Sequence, residues 1–163
     1  MLLFNQNPPQ TDIFGALRLA LQSIFGSDLE VIKGLSNYVA QPLGDYIAMT
    51  PLLIERLSTN GSEYTETTRT EKTDIDYHVQ LDFYGKQSSN RVTTIFTLWR
   101  SDVLFQYGIT PFYTSEPRQL QFVGGDSTMV ERWSMDVHLA YNPNIILPQQ
   151  TANQLTASLS NVV

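Results

Sequence analysis

The stretch TDIDYHVQLDF, residues 73–83, decides the fold, because apolar and polar side chains alternate along its whole length. Neighbouring side chains of a β-strand point to opposite faces, so this alternation predicts a strand with one buried face. The stretch RWSMDVHLAY, residues 132–141, repeats the pattern and places Trp133 inward. The two segments therefore predict two strands of a sheet whose apolar face covers the core.

Two further segments, residues 11–26 and 88–103, carry apolar residues at helical spacing. Thr11 is placed to cap the first helix, and Ser88 or Ser89 is placed to cap the second. A helix with one apolar stripe buries that stripe against the core, so both helices are predicted to pack on the sheet.

Additional strands are predicted at residues 28–33, 46–57 and 118–123, where apolar and β-branched residues cluster. A proline at position 51 removes a backbone donor, so Pro51 implies an edge or a bulge in the second of these strands. Residues 107–113 contain several aromatic side chains beside a proline and are predicted to form a loop.

The segment at residues 58–72 has strand-forming Thr and Tyr but no apolar face, so we expect it to project as a polar β-hairpin. The other divisions are an N-terminal arm at residues 1–10, one domain at 11–143 and an uncharged C-terminal tail at 144–163. Hairpins combined with two helices on one face predict an α+β fold, in which a mainly antiparallel β-sheet packs against two helices.

Composition and charge exclude several classes of protein. The 163 residues include no cysteine, which excludes disulfides, thiolate metal sites and cysteine nucleophiles. Neither a membrane span nor a signal peptide is predicted, because no apolar run is long enough. The whole net charge of −6 falls between residues 28 and 82, and residues 137–163 carry no charged side chain. Tight binding to phosphate backbones needs clustered Lys and Arg, so this distribution argues against nucleic-acid binding.

The strongest candidate for chemistry is the polar face of the two alternating segments, because the chain has neither a Gly-rich phosphate loop nor a nucleophile elbow. The polar residues of that face are Asp74, Asp76, His78 and Asp82 on the first segment and Asp136 and His138 on the second. If the segments are neighbours, this face offers the imidazole and carboxylate ligands of a Zn or Fe site, or an acid–base pair of carboxylates. The alternative, which is the commoner case, is that the polar face meets water or another subunit.

Four stretches together resemble the neck or tail terminator proteins of long-tailed bacteriophages. They are YIAMTPLLIERLSTN at 46–60, DFYG at 82–85, ERWSMD at 131–136 and HLAYNP at 138–143. The order of elements is also similar to that of the family, over residues 10–143. The resemblance implies a structural virion protein that is not an enzyme and has no cofactor, and it carries over no catalytic or metal-binding residues.

The resemblance further implies a ring, typically a homohexamer, that caps the tail tube and joins it to the head connector. The implied partners are other copies of the chain, the tail tube protein and a head-completion or connector protein. Genomic DNA would pass through without specific binding, and no membrane would be involved. The implied location is the neck or tail of a virion that is assembled in the host cytoplasm.

Two other functions stay open at the level of sequence. The first is a head-completion or baseplate component of the virion. The second belongs to another class, a small metal-dependent enzyme or ligand-binding protein that uses the Asp/His face of the sheet.

The position of the negative charge adds one expectation about a ring. An acidic bore would repel the phosphates of passing DNA, whereas a basic bore would hold them. The acids predicted to line or rim the bore, or to lie at an interface, are Glu63, Glu66, Glu71, Asp74 and Asp76. In the competing interpretation they face outward and only keep the particle soluble.

Overall fold

The computed structural model describes residues 6–7, 10–34, 42–123 and 129–148, which form ten strands, two α-helices and one 3₁₀ helix. The predicted arm and tail lie mostly outside these ranges. In chain order the elements are β1 (Gln6–Asn7), α1 (Gln10–Phe25), β2 (Glu30–Lys33), β3 (Tyr46–Arg56), β4 (Gly61–Tyr64), β5 (Thr68–Lys72), β6 (Ile75–Tyr84), α2 (Ser88–Leu98), the 3₁₀ helix (Asp102–Tyr107), β7 (Thr110–Thr114), β8 (Arg118–Val123), β9 (Met129–Tyr141) and β10 (Asn144–Pro148).

The main sheet has the strand order β2-β3-β6-β9-β7, and β8 pairs with β9 further along the same edge as β7. Only β2 and β3 run parallel among the described strand pairs of this sheet, so the prediction of a mainly antiparallel sheet is confirmed. The two alternating segments form β6 and β9, which are direct neighbours at the centre. In β3 the register shifts between Pro51 and Leu53, which is the irregularity that the proline implied.

Both helices pack on one face of the main sheet, as predicted, and enclose the core. The buried core side chains include Leu17 and Leu21 of α1, Val92 and Ile95 of α2, and the inward residues of the three central strands. Gly26 ends α1 with a φ of 103°, a conformation that glycine adopts without strain. Trp99, directly after α2, is 2% exposed. Trp133 is only partly buried and packs against the margin of the core, although the alternation of β9 places it inward.

The second helix differs from its prediction at both ends. Its N-cap is Gln87, which makes no side-chain cap hydrogen bond, and Ser88 lies buried inside the first turn, so neither Ser88 nor Ser89 is the cap. The helix ends at Leu98, and the apolar spacing that continued to residue 103 belongs to the 3₁₀ helix. The two helix types have similar periods over a single turn, so apolar spacing alone does not separate them.

The predicted loop at residues 107–113 is wrong in its second half, because β7 pairs there with the outer edge of β9. An edge strand tolerates Pro111, whose missing N–H interrupts no central ladder.

A second sheet contains the predicted polar hairpin, formed by β4 and β5, in the order β1-β10-β5-β4. The hairpin is not a free projection, since β10 pairs with β5 from Asn144 to Pro148 and β1 pairs with β10. Residues 144–148, which were predicted to belong to the tail, are therefore a strand. No described residue of this sheet belongs to the hydrophobic core, in agreement with the hairpin's lack of an apolar face.

Candidate functional site

The face of the main sheet opposite the helices carries a cluster of two histidines and one aspartate. In the antiparallel ladder of β6 and β9, His78 lies directly opposite His138, and Asp76 lies one pair further along on the same face. Residues directly opposite in a sheet have close side chains, and diagonal neighbours also come within reach. The two segments are thus neighbours, which was the condition for their polar side chains to meet, and three of these side chains do meet.

The distances within the cluster are short. The Nδ1 atom of His138 lies 2.9 Å from Oδ2 of Asp76, and Nε2 of His78 lies 3.1 Å from the same oxygen. One ligand-type atom from each residue lies within 4.8 Å of the other two. Glu55 of β3 approaches from the side, with its Oε2 3.8 Å from Nε2 of His78. Adjacent strands β3, β6 and β9 thus each contribute a polar side chain to one place.

The cluster is buried, which the expectation of a water-facing surface did not foresee. Asp76 is 3% exposed and His138 is 8% exposed. The ring of Tyr113 stacks on that of His138 with centroids 3.9 Å apart, and on the helix side the Trp99 indole donates a hydrogen bond to the His138 carbonyl. An open cavity of about 500 Å³ reaches the cluster and is lined in part by Glu55, Asp76 and Tyr113.

Two polar atoms of the cluster have no hydrogen-bond partner among the described residues. They are Oδ1 of Asp76 and Nε2 of His78, and both are buried. The Nε2 atom is close to Asp76 but not in hydrogen-bonding geometry with it. Buried polar atoms in folded proteins are nearly always paired, so these two atoms mark the cluster as a place where a further group fits.

The other acids of the predicted site are held elsewhere. Asp74 accepts hydrogen bonds from Ser58 and Asn142. Asp82 is paired with Arg132 at 3.0 Å. The remaining acid, Asp136, is paired with Arg118 at 3.3 Å. Each of these three carboxylates therefore has its own partners, and the structure does not bring them to the two histidines.

Near Asp82, two tyrosine rings form a stack on the same face of the sheet. Tyr46 and Tyr84 lie with ring centroids 4.3 Å apart, and the Arg132 guanidinium lies over the Tyr84 ring at 5.3 Å. The pKa of Tyr84 is raised to about 12, first by burial and then by the Asp82 carboxylate, while Arg132 opposes the shift. This corner of the face is therefore a neutral phenol beside an ion pair.

The five acids predicted for a bore differ in how far they are buried. Glu63, Glu66 and Asp74 are exposed, whereas Glu71 of the hairpin is partly buried. Glu63 pairs with Lys72 and Glu71 pairs with Arg69, so basic neighbours offset part of the hairpin's charge. Asp76 is buried in the cluster, so it does not belong to the exposed acidic set.

The exposed half of β3 is a second surface feature, which was not predicted from the sequence. Leu52, Leu53 and Ile54 of this half, and Leu57 directly after the strand, are between 48% and 55% exposed. Beyond Met49, where pairing with β2 ends, no strand in the described part of the chain pairs with the outer edge of β3. The sequence does contain a signal for this surface, namely three consecutive apolar residues after Pro51. In a half-buried strand, polar residues would alternate with apolar ones at these positions.

Comparisons with known proteins give a family and a fold. Residues 11–162 match the model of the family described as phage neck terminator protein. No curated protein matches the chain. Among solved structures, the chain is similar to the sheath/tube terminator, in the extended state, of an extracellular contractile injection system (PVC) studied by cryo-EM. The TM-score is 0.53 at 12% identity, and the match covers 95% of this chain but only 63% of that one. At such low identity the likeness shows a shared fold.

None of the helices in the described ranges is long and apolar enough to cross a membrane.

Proposed function

The chain belongs to the phage neck terminator protein family, and on this premise we propose that it forms a closed ring that caps the tail tube and joins it to the head connector. A tail terminator has a structural role in the virion. In addition, the proposal states that six copies of the chain form the ring, that the ring contacts a tail tube protein and a head-completion protein, and that DNA passes through its bore. It also assigns the chain no catalytic step.

The observation that carries this proposal is the exposed apolar half of β3. An apolar strand with a free backbone edge promotes pairing with another chain, and isolated proteins usually protect such edges with charge or cover them. Here the edge segment at residues 52–57 presents four large aliphatic side chains beside the two charged residues Glu55 and Arg56. In a ring, each subunit places one surface against a different surface of the next subunit, and the edge of β3 would supply one of these two surfaces.

The test compares a double substitution on the edge with a single control substitution, by negative-stain electron microscopy and sedimentation. Leu52→Lys with Ile54→Lys puts two charges on the edge, and we expect rings to be lost while the monomer's melting temperature stays unchanged. Leu43→Lys is the control, because this leucine is fully exposed at 103% but lies in the loop before β3. Rings should persist in the control.

Two outcomes would contradict the proposal. If the wild-type chain forms no rings, either alone or on purified tail tubes, the ring itself is wrong. If the edge variant assembles as well as the wild type, the ring stands, but its contact is not at β3.

The acidic rim is a part of this proposal, supported by the exposure of the hairpin acids. Glu63, Glu66 and Asp74 line or rim the bore and repel DNA, so that the genome passes without binding. Replacing these three residues by Lys should leave assembly intact and slow DNA delivery. Particles that carry the triple substitution and infect normally would show that the acids face outward.

A further inference from the structure

We propose that Asp76, His78 and His138 bind one divalent transition-metal ion, with Zn²⁺ as the best fit, on the polar face of the main sheet. This inference does not depend on the ring, since all three ligands come from one chain. It gives the cluster a structural role, in which the ion ties β6 to β9 on the face that neither of the two described α-helices covers.

The first argument is the kind and spacing of the side chains. Zn²⁺ binds imidazole nitrogen and carboxylate oxygen at about 2.0–2.2 Å, which places neighbouring ligand atoms about 3.3 Å apart in a tetrahedron. The two nitrogen–oxygen separations in the cluster are 2.9 and 3.1 Å. Both separations are to Oδ2 of Asp76, so each nitrogen needs to move only a few tenths of an ångström away from this oxygen, and the three ligand-type atoms lie within 4.8 Å of one another. Two imidazoles with one carboxylate favour zinc over magnesium or calcium, which prefer oxygen ligands.

The second argument is the pair of buried atoms that lack a partner. Oδ1 of Asp76 and Nε2 of His78 are both buried and make no hydrogen bond within the described part of the chain. Leaving such atoms unpaired costs free energy, most of all on a carboxylate. A cation bound to Nε2 of His78 and to the Asp76 carboxylate satisfies the nitrogen lone pair and offsets the negative charge that Oδ1 shares with Oδ2. A purely hydrogen-bonded cluster would satisfy only the contact between His138 and Asp76.

The third argument is that the ligands are already held in place. The ring of His138 is stacked on Tyr113, and its backbone carbonyl accepts a hydrogen bond from Trp99. Supporting contacts of this kind orient metal ligands and reduce the reorganisation that binding requires.

The fourth argument is access for the ion. The open cavity beside Asp76 gives a path from solvent to the cluster. Glu55 lies at its rim with a side chain that is 59% exposed, and it is placed to supply a fourth ligand directly or through water.

The experiment uses the full chain without a polyhistidine tag, first stripped with EDTA and then titrated with Zn²⁺ by calorimetry. We expect one ion per chain with a dissociation constant in the micromolar range or below, a higher melting temperature with Zn²⁺, and no effect of Mg²⁺. Co²⁺ in place of Zn²⁺ should give the visible absorption of a four-coordinate site. The chain has only two histidines, so both imidazole signals in the NMR spectrum should shift on binding.

Variants identify the ligands. His78→Gln should weaken Zn²⁺ binding about 100-fold or more, which is the upper end of what loss of a mere supporting group causes. Asp74→Asn is the matched control, because Asp74 is the nearest acid on the same segment but lies outside the cluster, and it should bind Zn²⁺ like the wild type. If His78→Gln fails to fold, the wild-type Co²⁺ spectrum and imidazole shifts decide.

The proposal is overturned if the wild-type chain takes up no stoichiometric Zn²⁺, if the histidine signals do not move, or if His78→Gln binds as tightly as the control.

Discussion

Trp99 links the helix layer to the candidate site, and its replacement by alanine is expected to destabilise the fold more than the loss of the other tryptophan, Trp133. Its side chain is 2% exposed, and its indole N–H donates to the carbonyl of His138 at 3.3 Å. Trp99→Ala therefore removes both the packing between α2 and β9 and one partner of a backbone group in the central ladder.

The expected size follows from these two losses. Emptying a large aromatic site in a core costs about 3–5 kcal/mol in the free energy of unfolding. The loss of the hydrogen bond to the His138 carbonyl adds about 1 kcal/mol. For a chain of this length, a loss of that size lowers the melting temperature by about 10 °C or more.

Trp133→Ala is the matched control, since Trp133 is the chain's only other tryptophan. It is partly buried at the core margin, and its indole bonds to Glu131 two residues away in the same strand. Its loss should cost about 2 kcal/mol, in line with a partly buried side chain. Each variant keeps one tryptophan, so urea unfolding can be followed by the fluorescence of the other. Equal losses in the two variants, or a larger loss for Trp133→Ala, would refute the assignment of Trp99 to the core centre.

Three further predictions concern other parts of the fold. Gly85 has a φ of 101°, and a Cβ there would overlap the Asp45 carboxylate that pairs with Arg91. Gly85→Ala should therefore lower the free energy of unfolding by about 2 kcal/mol or more, as measured by thermal unfolding. An unchanged melting temperature would contradict this prediction. Deleting residues 60–70 removes the hairpin without removing a core residue, so monomer stability should hardly change while ring assembly weakens; a large loss of monomer stability would place the hairpin in the core. The pKa of Tyr84 is raised to about 12, so the folded state keeps this proton to a higher pH than the unfolded state does. The associated stability is present below pH 10 and is lost as the pH rises towards 12. Tyr84→Phe should flatten the decline in stability between these pH values, and parallel curves of stability against pH for the variant and the wild type would argue against the shift.

The alternation of residues was sufficient to predict the centre of the fold. Strands β6 and β9 appear where apolar and polar side chains alternate, because a sheet with one face on the core imposes that period directly. The proline in β3 also marked its irregularity correctly. In both cases a local property of the chain determines the local structure.

The errors arise where distant residues decide the structure. The strand at residues 144–148 could not be predicted from its own sequence, since it forms by pairing with β5, which lies more than seventy positions away. The candidate site also depends on distant residues. The sequence predicted six polar residues on one face, but it could not show that Asp82 and Asp136 pair with arginines. Only the register of β6 against β9 selects Asp76, His78 and His138.

The pairing of β1 with β10 has a mechanical consequence. Gln6 lies opposite Ile145 and Asn7 opposite Asn144, in antiparallel order, so a pull on the two ends of the described chain loads this contact by unzipping. Unzipping breaks hydrogen bonds one after another and needs little force. The β1–β10 contact would therefore yield first and absorb the initial extension, while the central strands β3, β6 and β9 stay outside the path of the load. Opening of the β1–β10 contact in the second sheet would therefore protect the main sheet from unfolding when the two ends are pulled apart.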